Sequence, residues 1–211
     1  MMIIGLTGGI ATGKSTIASM FRDKGVPVHD ADATVHKLSG VDGLAVPQIA
    51  ALFGDAVLTP DNAIDRSALG STIFKDVAKR KQLEQILHPL VADDRDSFLA
   101  AKQESGSAFV VLDVPLLFEV GSESLCDYTI VAFAPADLQY KRAIARPGMT
   151  IEKLDGILAS QISIADKANL ADLVLTTETS IEDTLKALSL WMDTDLKVML
   201  EKHNDGDNAD A

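Results

Sequence analysis

Cysteine is almost missing from this chain. Cys126 stands alone in 211 residues, so no internal disulfide can form, and a lone thiol reads as buried filler before it reads as a nucleophile. No run of about 18 apolar residues occurs, which argues against a membrane-spanning helix. The opening residues lack a basic segment followed by a long apolar one, so no secretory signal is expected and a cytoplasmic location is the default. Positive charge is scarce as well: 19 Lys and Arg face 31 Asp and Glu, a net charge of −12. Nucleic-acid binders need clustered positive charge, so that class is disfavoured, while one small polyanion held by a few local cations is not. Internal repeats and low-complexity linkers are absent, and nothing points to a protein partner.

What is present is an alternation of apolar runs with helical patterns. Residues 2–6, 26–29, 108–114, 127–133 and 171–177 are short apolar runs, without the polar alternation of a half-exposed strand. That suits strands covered on both faces of a parallel sheet. Helices are expected from Ser15 to about Lys24, over 136–146, and over 181–192 with Ile181, Leu185, Leu188 and Trp191 on one face. The alternation predicts an α/β doubly wound fold with five strands. Between the second and third runs lie about 75 mostly helical residues, too many for one crossover, and Pro89 should kink or restart the helix over 78–104. The expected plan is a single domain. Its core spans about 1–35, 105–141 and 166–193, with a helical insertion over 36–104 and a short helical lid over 142–165. A polar, acidic, frayed tail is expected over 194–211.

The stretch GLTGGIATGKST, residues 5–16, carries the most specific signal. Gly8-x-x-x-x-Gly13-Lys14-Ser15 between a strand and a helix matches a phosphate-binding loop. Backbone N–H groups of Gly8, Gly9, Ile10, Ala11, Thr12 and Gly13 can converge on phosphate oxygens, helped by the positive end of the helix that follows. Lys14 can reach the outer phosphates, and the hydroxyl of Ser15, seconded by Thr16, can meet Mg²⁺. A nucleoside triphosphate is the expected ligand. The NKxD signature that specifies guanine in GTPases is absent.

Asp30 and Asp32 follow the second strand, and Asp32 is the candidate general base for an attacking alcohol. Either could instead cap the helix beginning near Ala33; Asp30 reads as a capping or Mg²⁺-side partner. Asp113 ends the third strand, placed to hold Mg²⁺ through water or simply to turn the chain before Pro115. Arg142 and Arg146, four apart, share one helix face. They form either a solvated face or a pair that closes over the transferring phosphate.

These residues together resemble the dephospho-CoA kinase family. The resemblance rests on GLTGGIATGKST, DAD, DRSAL, LHPLV, LDVPLLFE, the Arg142/Arg146 pair, ASQ and KANLADLVL, in order across residues 3–177. It implies ATP-dependent phosphorylation of the ribose 3′-hydroxyl of dephospho-CoA, with Mg²⁺, as the last step to coenzyme A. It implies that Gly8, Gly13, Lys14, Ser15 and Thr16 bind the ATP phosphates, that Asp32 is the base and that Arg142 stabilises charge from the lid. Arg66 and His88 fall in the insertion that receives the acceptor, with Lys167 as a further phosphate contact. Two departures stand out. Ala11-Thr12 replaces a common Gly-Ser, and Thr176-Thr177-Glu178 stands where asparagine and glycine usually lie near the adenine, which bears on purine preference. Other readings are a P-loop kinase for another small molecule or nucleoside, and a regulatory ATPase without an acceptor.

Overall fold

The computed structural model describes residues 1–73 and 76–209; residues 74–75 of the expected insertion and 210–211 of the expected tail lie outside the described residues. The chain divides into two compact units, one formed by Met1–His29 with Lys102–Ala211 and the other by Asp30–Ala101.

The first unit is built on β1 (Met2–Gly8), β2 (Val28–Asp30), β3 (Phe109–Asp113), β4 (Tyr128–Phe133) and β5 (Leu173–Thr176), in the order β2-β3-β1-β4-β5. Ile4 lies opposite Val111 on one side and Tyr128 on the other, both pairings parallel, and β4 pairs with β5 in the same sense. Successive residues Val110 and Val111, and Ile130 and Val131, are all fully buried. Successive side chains on a strand face opposite ways, so burial of both explains why these strands read as unbroken apolar runs. The second strand is shorter than expected. Pro27 has no N–H to contribute, and its carbonyl accepts from Val111 N at 2.9 Å.

Helix α1 (Lys14–Asp23) buries Ile17, Ala18, Met20 and Phe21 against the sheet. On helix α9 (Ile181–Trp191), the buried stripe is Thr184, Leu188 and Trp191, the true i, i+4, i+7 set. Ile181 and Leu185, expected on that face, are 69% and 39% exposed. The chain then continues as a π-helical turn over Met192–Leu196 and helix α10 (Lys197–Ala209), where a frayed tail was expected. Leu196 is buried in the core, with Met199 and Leu200 packed against it, so apolar spacing overrides the polar composition here.

The second unit contains α2 (Ala31–Leu38), α3 (Val46–Phe53), α4 (Arg66–Ile73) and most of α5 (Val77–Glu104) around Leu38, Ile49, Val57, Ile64 and Leu83. Helix α5 is continuous through Pro89, so no new helix starts there. Pro89 is exposed, so water can satisfy the carbonyl left without its N–H partner. Among the described residues no helix is long and apolar enough to cross a membrane.

Candidate active site

Strand β1 ends at Gly8, and the loop to α1 is held by its own hydrogen bonds: Thr12 N and Oγ1 both donate to the Gly9 carbonyl, at 3.3 and 3.0 Å. Gly13 sits at φ +88°, in the left-handed region. A Cβ there would also lie 2.8 Å from Thr177 Cγ2. Gly13→Ala is therefore expected to weaken ATP binding about tenfold or more, because the loop must shift to relieve both strain and contact. Isothermal titration with ATP checks this, and unchanged affinity would refute it. Ala11 also has a positive φ, +59°, so the residue replacing a common glycine keeps a glycine-like backbone. Its methyl group is buried with Ala143 and Leu154, contacts a glycine would lack.

Lys14 Nζ forms an ion pair with the buried carboxylate of Asp113 at the end of β3. The pairing places the loop lysine and the strand-end aspartate side by side.

Helices α6 (Ala136–Ile144) and α7 (Ile151–Ala159) pack through Ala143, Ile144, Leu154 and Leu158 onto Ile10 and Ala11. Ile10 N also donates to Gln161 Oε1 at 3.3 Å. Arg142 lies on α6 and donates from Nη1 to Thr177 Oγ1 at 3.0 Å and from Nη2 to the Thr177 carbonyl at 2.8 Å. Arg146 lies just beyond the helix. Both arginines line a cavity of about 300 Å³ with Ala11, Gly13, Ser15, Thr16, Thr177, Thr179, Ile181 and Thr184. Loop, arginine pair and hydroxyl-rich wall thus surround one volume open to a nucleotide.

Lys167, expected to touch phosphate, is placed differently. On α8 (Ile164–Leu170) it is fully buried, and its ammonium donates to the carbonyls of Gly8 at 3.3 Å and Pro115 at 2.7 Å. Glu119 Oε1 lies 2.9 Å from the same Nζ. Three donors meet three acceptors inside the protein, which leaves none for a ligand. Burial pushes the Lys167 pKa down, against the upward pull of Glu119.

Asp32, Arg66 and His88 belong to the second unit. Asp30 caps α2, its Oδ1 accepting from Ala33 N at 2.9 Å, while Asp32 is an exposed residue of the first turn. Arg66 Nη1 lies 3.2 Å from His36 Nδ1 at the start of α4, and His88 is exposed on α5.

A family model described as dephospho-CoA kinase matches residues 2–183. The chain belongs to the dephospho-CoA kinase family. It is 47% identical over 182 residues to the dephospho-CoA kinase of Mesorhizobium japonicum, covering 86% of this chain and 90% of that one. To the dephospho-CoA kinase of Paramagnetospirillum magneticum it is 52% identical over 167 residues, covering 79% and 78%. Its structure resembles the crystal structure of TT1252 from Thermus thermophilus with a TM-score of 0.76, at 32% identity, over 91% of this chain and 96% of that one. As a member of this kinase family, the chain is a phosphoryl transferase with a P-loop fold and ATP as donor.

Thr179, Ile181 and Thr184 were not singled out in the dephospho-CoA kinase motifs, because they lie on the chain after β5 and only the fold brings them beside the loop. Gln139 was missed too: it is buried, with Nε2 2.4 Å from where a Gly9 Cβ would stand, so it fixes how close α6 comes to the loop. Its only sequence signal is a polar residue one turn before the buried Ala143.

Proposed function

We propose that this chain transfers the γ-phosphoryl group of ATP to the ribose 3′-hydroxyl of dephospho-CoA, giving coenzyme A and ADP. The observation that carries the proposal is the family match over residues 2–183 of a chain whose phosphate loop and two arginines line one cavity. Backbone N–H groups from Gly8 to Gly13 cradle the phosphates, with Ser15 and Thr16 at the start of α1. Lys14 moves its charge from Asp113 towards the outer phosphates as they arrive. Asp32 accepts the proton of the 3′-hydroxyl while that oxygen bonds to the γ-phosphorus and the bond to the β-phosphate oxygen breaks. ADP leaves with the electron pair. Arg142 and Arg146 balance the charge on the moving phosphoryl group, and the segment over 142–165 acts as a lid that keeps water from accepting it.

Mg²⁺ fits the donor set. Ser15 offers a hydroxyl and Asp113 a carboxylate, hard oxygen ligands suited to an ion held mostly by phosphate and water. Among the described residues no group of three or more His, Cys, Asp or Glu is placed to hold a metal ion. When bound it neutralises charge on the β- and γ-phosphates. Arg66 and His88, in the insertion, are the acceptor-side contacts.

The test is ADP release from Mg-ATP with dephospho-CoA, adenosine, AMP or shikimate. Strong stimulation by dephospho-CoA alone, with coenzyme A as product, is the expected result. Turnover with a different acceptor and none with dephospho-CoA would replace this reading by another small-molecule kinase.

A further inference from the structure

We infer that Thr177 is a positioning residue for phosphoryl transfer, locking the Arg142 guanidinium onto the phosphate-binding loop. The inference rests on the reading that Arg142 faces the transferring phosphoryl group.

Thr177 follows β5 directly and is 8% exposed. Its hydroxyl accepts from Arg142 Nη1 and donates to the Thr12 carbonyl at 2.7 Å, with the Phe133 carbonyl also in range at 3.3 Å. Its own carbonyl accepts from Arg142 Nη2, and its backbone N–H donates to the Phe133 carbonyl at 2.8 Å. One residue therefore joins the loop, the end of β4 and the arginine of α6. A planar guanidinium gripped at two nitrogens is fixed in plane as well as in place. Arg142 has five N–H donors, and these two bonds leave others for a ligand in the cavity it lines.

This bonding limits what the Thr177 hydroxyl can offer a purine base. A threonine hydroxyl has one hydrogen, and the closest acceptor for it is the loop carbonyl of Thr12. An arginine in water samples many rotamers. One already held beside the loop reaches the transition state without being ordered there, which is the advantage of a preorganised charge. The effect belongs in kcat rather than in ATP affinity, because the arginine acts on charge that develops during transfer.

The experiment compares Thr177→Val, Thr177→Ser and Arg142→Ala with the parent, measuring kcat and the KM for ATP at saturating dephospho-CoA. Thr177→Val keeps the shape and removes the hydroxyl. It is expected to lower kcat about tenfold or more, as for loss of a hydrogen bond to a charged group, with the KM for ATP changed less than about threefold. Thr177→Ser restores the hydroxyl and is expected to return kcat to within about threefold of the parent. In the Arg142→Ala background, Thr177→Val should cost less than about twofold more, since the group it positions is gone. Three results would overturn the inference. They are a parent-like kcat in Thr177→Val while Arg142→Ala is slow, an equal loss in Thr177→Ser, and an undiminished loss in the Arg142→Ala background. A parent-like kcat in Arg142→Ala would instead overturn the assignment of Arg142 itself.

Discussion

Asp32→Asn is expected to lower turnover with dephospho-CoA by about 10²–10⁴-fold while ATP still binds, the usual range for loss of a positioned general base. The two aspartates, one ending β2 and one in the first turn of α2, divide their work by position. Asp30 is the N-cap and gives its Oδ1 to the Ala33 N–H. Asp32, two residues on, is in the first turn and exposed, so no capping bond engages its carboxylate. Asparagine keeps the size and one carbonyl oxygen but cannot take a proton at neutral pH. Acceptor binding should therefore change little, and the loss should fall on kcat. Steady-state rates at saturating ATP and acceptor check this, together with an ATP titration. A variant that turns over within about threefold of the parent would remove Asp32 from the role of base. Asp30→Asn is the control: it keeps a side-chain oxygen for the cap and should be far less damaging.

The parts of the fold that depend on local pattern could be read before the structure. Buried parallel strands need both faces apolar, and Val110-Val111 and Ile130-Val131 carry that requirement on adjacent residues. The loop from Gly8 to Ser15 was recognisable because its chemistry lies within one contiguous segment. Contacts between distant segments were not. Thr177 meets Thr12 across 165 positions and Arg142 across 35, and nothing local to TTET hints at either partner. The departure of Thr176-Thr177-Glu178 from the family pattern bears on purine preference, and the Thr177 bonds to the loop and the arginine are a separate feature that only the fold shows.

Composition misled in two places. The stretch after Trp191 is acidic and polar, but Leu196, Met199 and Leu200 repeat at helical spacing and anchor it to the core. Lys167 looked like a cation offered to phosphate. It lies three residues after the buried Ile164, on the same face of α8, and that spacing was the available sign that it points inward.

Lys167→Ala is expected to destabilise the fold by about 3–5 kcal/mol, the range for removing one partner of a buried ion pair. At this chain length that is a fall in Tm of roughly 10 °C. Glu119 is only 13% exposed, and without the ammonium its Oε1 keeps one bond, from Ile162 N at 2.9 Å. Its Oε2 is buried and has no hydrogen-bond partner among the described residues, so the charge left behind has little to hold it. The carbonyls of Gly8 and Pro115 lose a donor at the same time. Replacing both partners with apolar residues, Lys167→Met with Glu119→Leu, should recover most of the loss, because the penalty comes from the orphaned charge. Burial lowers the Lys167 pKa below its ordinary 10.5. Between those two values the unfolded chain binds more protons than the folded one, so this residue makes stability rise with pH there. The double variant should lack that alkaline increment. Thermal unfolding of the three proteins from pH 7 to 11 tests both points. A single variant as stable as the parent would mean that the ammonium does not hold the start of the phosphate loop, and that Gly8 keeps its place through β1 alone.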